Sequence, residues 1–328
     1  MCDASKMSGR STGGVGRRAD LIEWGFWVLG AFALAVAGAL AAARLSHVLD
    51  VIGQIAGPVL SLTAIAAVLA LGLRRWRPLA GLGVGLIALV VLQAPQWRPA
   101  FARPATAPTV RVYFDNIYWK NHDIVAAASS VRAARPDVVA LAEFSDAQKP
   151  GTEAILGGLP YRVFTWANPQ FRGHPRAVIA SRYPITNLAR AYNGPYEVLA
   201  VRVHAPGGAF RLVAVHLSRP WPFRRQGELI RQLDILSSAV NVQPAEPTVI
   251  VGDFNATASG ALLSRFRAHT GFASANAVVG DWPANLPAPF RIAIENAFAG
   301  HGARIVSRRL GPFSGSDHRP IVIEVARP

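Results

Sequence analysis

Two hydropathy patterns divide the chain. In its N-terminal third the apolar positions form uninterrupted runs. Trp24–Ala43 reads WGFWVLGAFALAVAGALAAA, Val51–Leu73 reads VIGQIAGPVLSLTAIAAVLALGL, and Leu79–Trp97 reads LAGLGVGLIALVVLQAPQW. Each is near the roughly 20 residues with which a helix crosses a hydrocarbon core. A cleaved signal peptide has one apolar stretch ending at small residues, so three in series do not fit it. The runs predict three transmembrane helices.

Beyond Pro108 the pattern changes to short alternating or buried runs set off by Pro and Gly. Val110–Phe114 alternates as a strand does, and Asp137–Leu141 follows the Arg135-Pro136 breaker. Further strands are predicted at Tyr161–Thr165, Ala177–Ala180, Val198–His204, Phe210–His216, Thr248–Val251 and Ile321–Val325. His122–Ala134 has helical spacing, and Phe223–Val240 places Leu229, Ile230, Leu233 and Leu236 on one helical face. Strands with helices between them predict a mixed α/β or α+β domain.

Composition sharpens this division. The 328 residues are 51% hydrophobic and 16% charged, against about 25% charged in an average soluble domain. From Trp24 to Pro99 the charged residues are Arg44, Asp50, Arg74, Arg75, Arg77 and Arg98. A uniformly soluble chain and a disordered one are both excluded. The resulting organisation is a basic tail (1–20), a three-helix anchor (21–97), a Pro-rich linker (98–108) and one domain (109–328). None of the apolar runs contains an ionisable residue, so a transport path has no support. Lys6, Arg10, Arg17 and Arg18 in the tail and Arg74, Arg75 and Arg77 in the second connector predict a cytoplasmic N-terminus. The domain then lies outside the cytoplasm, on a bacterial inner or plasma membrane. The net charge is +15, with 31 Arg against 3 Lys. It suits a polyanion or anionic lipid, and an Arg-rich composition bias accounts for it equally well. Cys2 stands alone and excludes an internal disulfide.

Candidate chemistry lies at the strand ends. Asn116 follows VRVYF, Glu143 closes DVVALAE and His216 closes FRLVAVH. Asp253 and Asn255 sit in VIVGDFN, and Asp317 and His318 in Ser316-Asp-His-Arg-Pro320 before the last strand. Strand ends project polar groups from a rigid scaffold. In this order, with Ser181-Arg-Tyr-Pro-Ile185 between, the motifs resemble the endonuclease/exonuclease/phosphatase superfamily, which holds DNase I-like nucleases and sphingomyelinase-type phosphodiesterases. The likeness covers roughly residues 109–326.

That resemblance implies a DNase I-like α+β fold, a four-layer αββα sandwich with its site at one end, here preceded by the three transmembrane helices. It implies a metal-dependent phosphoesterase working by in-line attack of water. Asn116 and Glu143, with Asp317, would hold Mg²⁺ or Mn²⁺. Asp253, oriented near Asn255, would activate the water, and His318 and His216 would serve the phosphate. Arg182, Arg219 and Trp221 are the expected substrate-binding residues. One position departs from the family pattern, where an Asp orients the final His. Ile294-Glu295-Asn296 puts Glu295 there, whereas a shifted register puts Ala293 there and leaves no partner. The substrate expected is a phosphate ester, either nucleic acid or phospholipid, and no protein partner is foreseen. The competing class is a non-catalytic membrane scaffold or binding module that keeps the fold.

Overall fold

The computed structural model describes residues 13–97, 109–165, 176–193, 196–220, 226–242, 245–275, 277 and 279–326. The first twelve residues of the expected basic tail, the linker from Arg98 to Pro108, and Trp221 lie outside them.

The N-terminal part is helical: α1 (Gly13–Ala41), α2 (His47–Gly53), α3 (Ala56–Gly72), α4 (Trp76–Leu92) and the single turn α5 (Ala94–Trp97). Small residues hold α1, α3 and α4 together. A Cβ on Gly85 would come within 3.0 Å of the Ala33 Cβ, and one on Gly81 within 3.1 Å of the Trp27 ring. The buried seam is Ala33, Val36, Ala37, Ala56, Val59 and Leu89. Large apolar side chains instead face outward, with Val68 at 70% and Ile87 at 68% exposure.

The three transmembrane helices expected from sequence need correction. Asp20–Ala41 is the one unbroken helix long and apolar enough to cross a membrane among the described residues. The second run is bent by 45° between α2 and α3. Pro58 explains the break, because a proline ring collides with the carbonyl four residues earlier, here at Gln54. The third run gives a helix of 17 residues, about 26 Å at 1.5 Å per residue.

The rest is a sandwich. Among the described residues, β1 (Val110–Asn116), β2 (Val138–Phe144), β3 (Tyr161–Phe164) and β4 (Arg176–Ser181) join β11 (Arg304–Leu310) and β12 (Ile321–Ala326) in a sheet ordered β11-β12-β1-β2-β4-β3. The second sheet, β5-β6-β7-β8-β10-β9, holds β5 (Ile185–Asn193), β6 (Tyr196–Ala205), β7 (Gly208–His216), β8 (Thr248–Asp253), β9 (Ala273–Ser274) and β10 (Glu295–Gly300). Their inner faces meet through Val112, Phe114, Val201, Leu212, Val251 and Ile323. The helices α6 (Ile124–Ala134) and α7 (Thr152–Leu156) cover the outer face of the first sheet. The helices α8 (Gln226–Asn241) and α9 (Ala261–Thr270) cover that of the second. This is the αββα layering expected from the motifs.

Two crossovers determine where chemistry collects. The pairs β1–β2 and β7–β8 are parallel, and parallel neighbours need a connection that returns to the starting edge. Helix α6 makes the first return and α8 lies in the second. In α6, Asp123 caps the start, accepting from the Ala126 N–H at 2.9 Å, and Arg135 ends it at φ +48°. All four C-terminal strand ends therefore emerge at one end of the sandwich.

Candidate active site

The second sheet carries its polar residues in one row. Glu197 pairs with His216, His216 with Asp253, and Asp253 with Glu295, across β6, β7, β8 and β10. Two residues deeper, the row reads Leu199, Ala214, Val251 and Ala297, all in the inter-sheet core. Paired residues share a face, so the polar row is the last inward-facing layer of the core. Alternation alone aims four titratable side chains into the gap between the sheets. From the first sheet, Asn116 ends β1, Glu143 lies in β2, and the turn before β12 brings His318.

These groups converge. Asn116 Nδ2 donates to Glu143 Oε1 at 3.2 Å and to Asp253 Oδ2 at 3.1 Å. His216 Nε2 stands 3.5 Å from Glu143 Oε1 and 3.9 Å from Asp253 Oδ2. His318 Nε2 is 3.8 Å from the same Asp253 oxygen, and its Nδ1 is 3.3 Å from Glu295 Oε1. Two imidazoles thus flank one carboxylate. Asn255, at φ +49°, turns the chain so that its own N–H donates to Asp253 Oδ1 at 2.8 Å. Its side chain donates to the Leu217 carbonyl at 2.9 Å, tying the ends of β7 and β8 together. Glu143 has φ +58°, at a register irregularity in the β2–β4 pairing, and Trp119 N–H donates to its Oε2 at 3.1 Å. Bulged residues of this kind re-aim a side chain out of the strand's plane.

Burial governs the electrostatics. Glu295 is fully buried, and desolvation pushes its carboxyl up to about 8 despite the opposing pull of His318. Burial alone would lower His318. Its contact with Glu295, aided by the Asp253 and Asp317 charges, overcomes that and holds the imidazole at about 10. Glu295, not Ala293, is therefore the partner of His318, and its extra methylene spans the distance. Its Oε1 also accepts the Asn116 N–H at 3.1 Å. Beneath it, Asp281 accepts from the Ile294 and Glu295 N–H groups, each at 3.1 Å, and lies 3.5 Å from the buried Arg308 guanidinium. Burial raises the Glu197 carboxyl as well, against a hydrogen bond from Thr165 Oγ1 at 2.6 Å and the nearby His216 charge.

Some expected residues fall elsewhere. Arg182 follows β4, whose far end pairs with Val138 at the start of β2. Six residues separate that point from Phe144, roughly 20 Å at about 3.3 Å per residue. There Arg182 pairs with Asp137 at 3.3 Å, so it is removed from the substrate-binding set. The residue of β4 that reaches the site end is Arg176, opposite Phe144. Arg219 is exposed just past β7. Asp317 is also exposed, its carboxylate accepting from Trp282 Nε1 at 3.3 Å, beside the cluster instead of within it. Sequence reasoning missed Glu197, Asp281 and Arg308. Glu197 was visible as the acidic residue at the start of a largely apolar strand. Asp281 and Arg308 sit in a turn and a polar edge strand and gave no such signal.

No group of three or more His, Cys, Asp or Glu side chains among the described residues is arranged to hold a metal ion. The Glu143 carboxylate with the Asn116 amide still fits a hard cation such as Mg²⁺, which binds through one or two carboxylates and keeps several waters.

A two-sheet sandwich with carboxylates and imidazoles gathered at one end is the architecture of the DNase I-like proteins. Residues 116–318, more than half of the chain, match the Endonuclease/Exonuclease/phosphatase family, and the chain belongs to that family. Among solved structures, it resembles an endonuclease/exonuclease/phosphatase from Beutenbergia cavernae at 20% identity and TM-score 0.56, over 67% of this chain and 72% of that one. It resembles the human Nocturnin catalytic domain at 18% and 0.52, over 71% and 98%. Sphingomyelinase C from Streptomyces griseocarneus is similar at 16% and 0.50, over 66% and 99%. At these identities the likeness is one of fold. The curated proteins offer no match.

Proposed function

We propose that the chain is a membrane-tethered hydrolase of phosphoric esters, acting by direct attack of water on phosphorus. The observation that carries this reading is the Asp253 carboxylate between two imidazoles, 3.9 Å from His216 Nε2 and 3.8 Å from His318 Nε2. In that arrangement Asp253 takes the proton of the attacking water as its oxygen bonds to phosphorus. The bond to the leaving oxygen breaks in line, and that oxygen receives a proton from His216. His318, kept cationic by Glu295, faces the charge that builds on the phosphoryl oxygens. Glu143 and Asn116 are the residues that would hold Mg²⁺ or Mn²⁺, which when bound supplies positive charge to those same oxygens. A non-catalytic module would be free to lose its partner for His318. The carboxylate at position 295 is longer than the family's, yet it stands 3.3 Å from the imidazole.

The test is hydrolysis of bis(4-nitrophenyl) phosphate by the full chain with Mg²⁺, Mn²⁺ or EDTA. Turnover lost with EDTA and reduced at least 10²-fold in Asp253→Asn supports the reading. Turnover equal in the variant overturns it.

The tether rests on the apolar outer surface of the helical bundle, where Val68 and Ile87 are exposed, and on the close approach of its helices at Gly81 and Gly85, as in helices packed in lipid. Orientation follows from its two ends. Arg75 pairs with Glu23 at 2.9 Å at one end. At the other, Asp50 Oδ1 accepts from the Ala261 N–H at 2.6 Å and Gln96 Nε2 donates to Ser259 Oγ at 3.1 Å, joining bundle to sandwich. The basic connector and the sandwich thus lie at opposite ends, which favours a cytoplasmic N-terminus and an extracytoplasmic site. Alkaline phosphatase fused after Arg103 should be active. An inactive, stably produced fusion reverses the orientation.

A further inference from the structure

A groove of about 690 Å³ opens on the outer face of the second sheet, between α8 and the strands β5 and β6. That volume lies within the roughly 300–1,000 Å³ of small-molecule sites. Its origin is the sheet's width, since α8 packs over β7 and β8 and leaves the outer face of β6 partly uncovered. Val198, Ala200 and Val213 form the floor, and Ile235 and Ala239 of α8 form one wall. Leu188 of β5 stands opposite. Ile235 is 56% exposed and Leu188 37%, although both border a concave surface. At one end the groove reaches the ends of β6 and β7, at Glu197 and His216, whose side chains turn to the opposite, inner face of the sheet.

The polar groups of the lining are already bonded. Arg211 Nε donates to Thr248 Oγ1 at 3.1 Å and its Nη2 to the Val240 carbonyl at 2.7 Å. Gln232 accepts the Ser218 N–H at 2.7 Å, and Arg231 pairs with Glu228 at 2.9 Å. A ligand that needs hydrogen bonds finds few on offer. Single-stranded nucleic acid is held by aromatic stacking, and none of the described lining residues is Phe, Tyr or Trp. What such a surface takes is a flexible apolar chain.

We infer that this groove seats the hydrocarbon chain of a lipid phosphoester that passes over the ends of β6 and β7 to place its phosphate between His216 and His318. The inference rests on the hydrolase reading and narrows its substrate class to lipid. The chain's own apolar bundle keeps the site where such lipids are.

The experiment uses the full chain in lipid nanodiscs and compares butyl phosphate with decyl phosphate by calorimetric titration. A fully buried methylene contributes about 0.8 kcal/mol. A half-open groove then gives about twofold per methylene, or roughly 60-fold tighter binding of decyl phosphate over six methylenes. Ala239→Trp fills the groove from an exposed helical position, and Ile235→Gln makes its wall polar. Both should reduce that ratio at least fivefold relative to the wild type in identical nanodiscs, with butyl phosphate affinity unchanged. Partition into the nanodisc is common to all three proteins and cancels. A ratio unaltered in both variants overturns the groove assignment. Turnover of bis(4-nitrophenyl) phosphate, run in parallel, tests the hydrolase reading on its own. Its absence refutes that reading while the affinity ratio still reports on the groove. Turnover with an unaltered ratio, accompanied by cleavage of single-stranded DNA, transfers the substrate class to nucleic acid.

Discussion

Replacing Glu295 by Gln removes one charge from the floor of the site and little else. Glutamine has the same length and keeps an oxygen for the Asn116 N–H, which Glu295 Oε1 now accepts at 3.1 Å. What disappears is the ionisable carboxyl 3.3 Å from His318 Nδ1. Its hydrogen bond and charge are the main reason His318 stands at about 10 in place of 6.5, against a burial that pushes it down. The rise of some three to four pH units corresponds to about 5 kcal/mol of preference for the charged imidazole. In the variant only the Asp253 and Asp317 charges oppose the burial, so His318 should titrate well below pH 10. A cation whose folded pKa is raised adds stability that is fully present below the unfolded pKa. That stability is lost as the pH climbs through the folded pKa. The Glu295 carboxyl, raised to about 8, adds a loss of the same sign that begins above its unfolded value of 4.5. The wild type should therefore weaken from about pH 4.5 to about 10, and Glu295→Gln should lack most of that slope. At pH 7 the variant should be less stable by about 3 kcal/mol, the lower end for breaking a buried pair. Urea midpoints taken across this range measure the slope, and ¹⁵N spectra of the imidazoles locate the titration. An unchanged slope, or His318 still titrating near pH 10, refutes the account of this pair.

Three further outcomes are expected. Gly252→Ala places a Cβ 2.2 Å from the Val215 carbonyl oxygen, so β7 and β8 must separate and carry His216 away from Asp253. It should cost about 3 kcal/mol in denaturant unfolding, the upper part of the range for overpacking, and at least tenfold in turnover of bis(4-nitrophenyl) phosphate. Glu143→Ala should abolish Mg²⁺-dependent turnover while leaving the circular dichroism spectrum intact, and retained activity removes Glu143 from the ion's ligands. Asp50→Ala deletes the carboxylate that accepts the Ala261 N–H at the start of α9. A lost cap costs about 1 kcal/mol, so the Ser259–Ala261 turn should exchange its amide hydrogens faster, with turnover unchanged.

Much of this protein can be read from local patterns along the chain. The apolar runs, the eight strands with clear patterning and the chemistry at their ends were all legible, because strand alternation and turn residues act locally. The motif Gly-Asp-Phe-Asn and the pair Asp317-His318 marked the site before any contact was known. The missed elements are those whose stability comes from neighbours. Strand β10 reads ENAFAG and β11 reads RIVSRRL. The first is small-residued and buried between β8 and β9, the second an Arg-rich edge, and neither has a pattern of its own. The bend at Pro58 was readable in principle, yet it was obscured by the even hydropathy around it.

Tertiary structure alone decided three matters. It chose Glu295 over Ala293 as the partner of His318, since register across β8 and β10 sets which side chain faces inward. It moved Arg182 to the far end of the sheet, because β4 runs antiparallel to β2 and so reverses the order of its ends. It also made one row of Glu197, His216, Asp253 and Glu295, residues separated by up to 98 positions in the chain. Hydrogen-bond register between strands is a long-range property that no local stretch of sequence encodes. It is fixed only when the apolar layer beneath that row, Leu199, Ala214, Val251 and Ala297, packs against the opposite sheet.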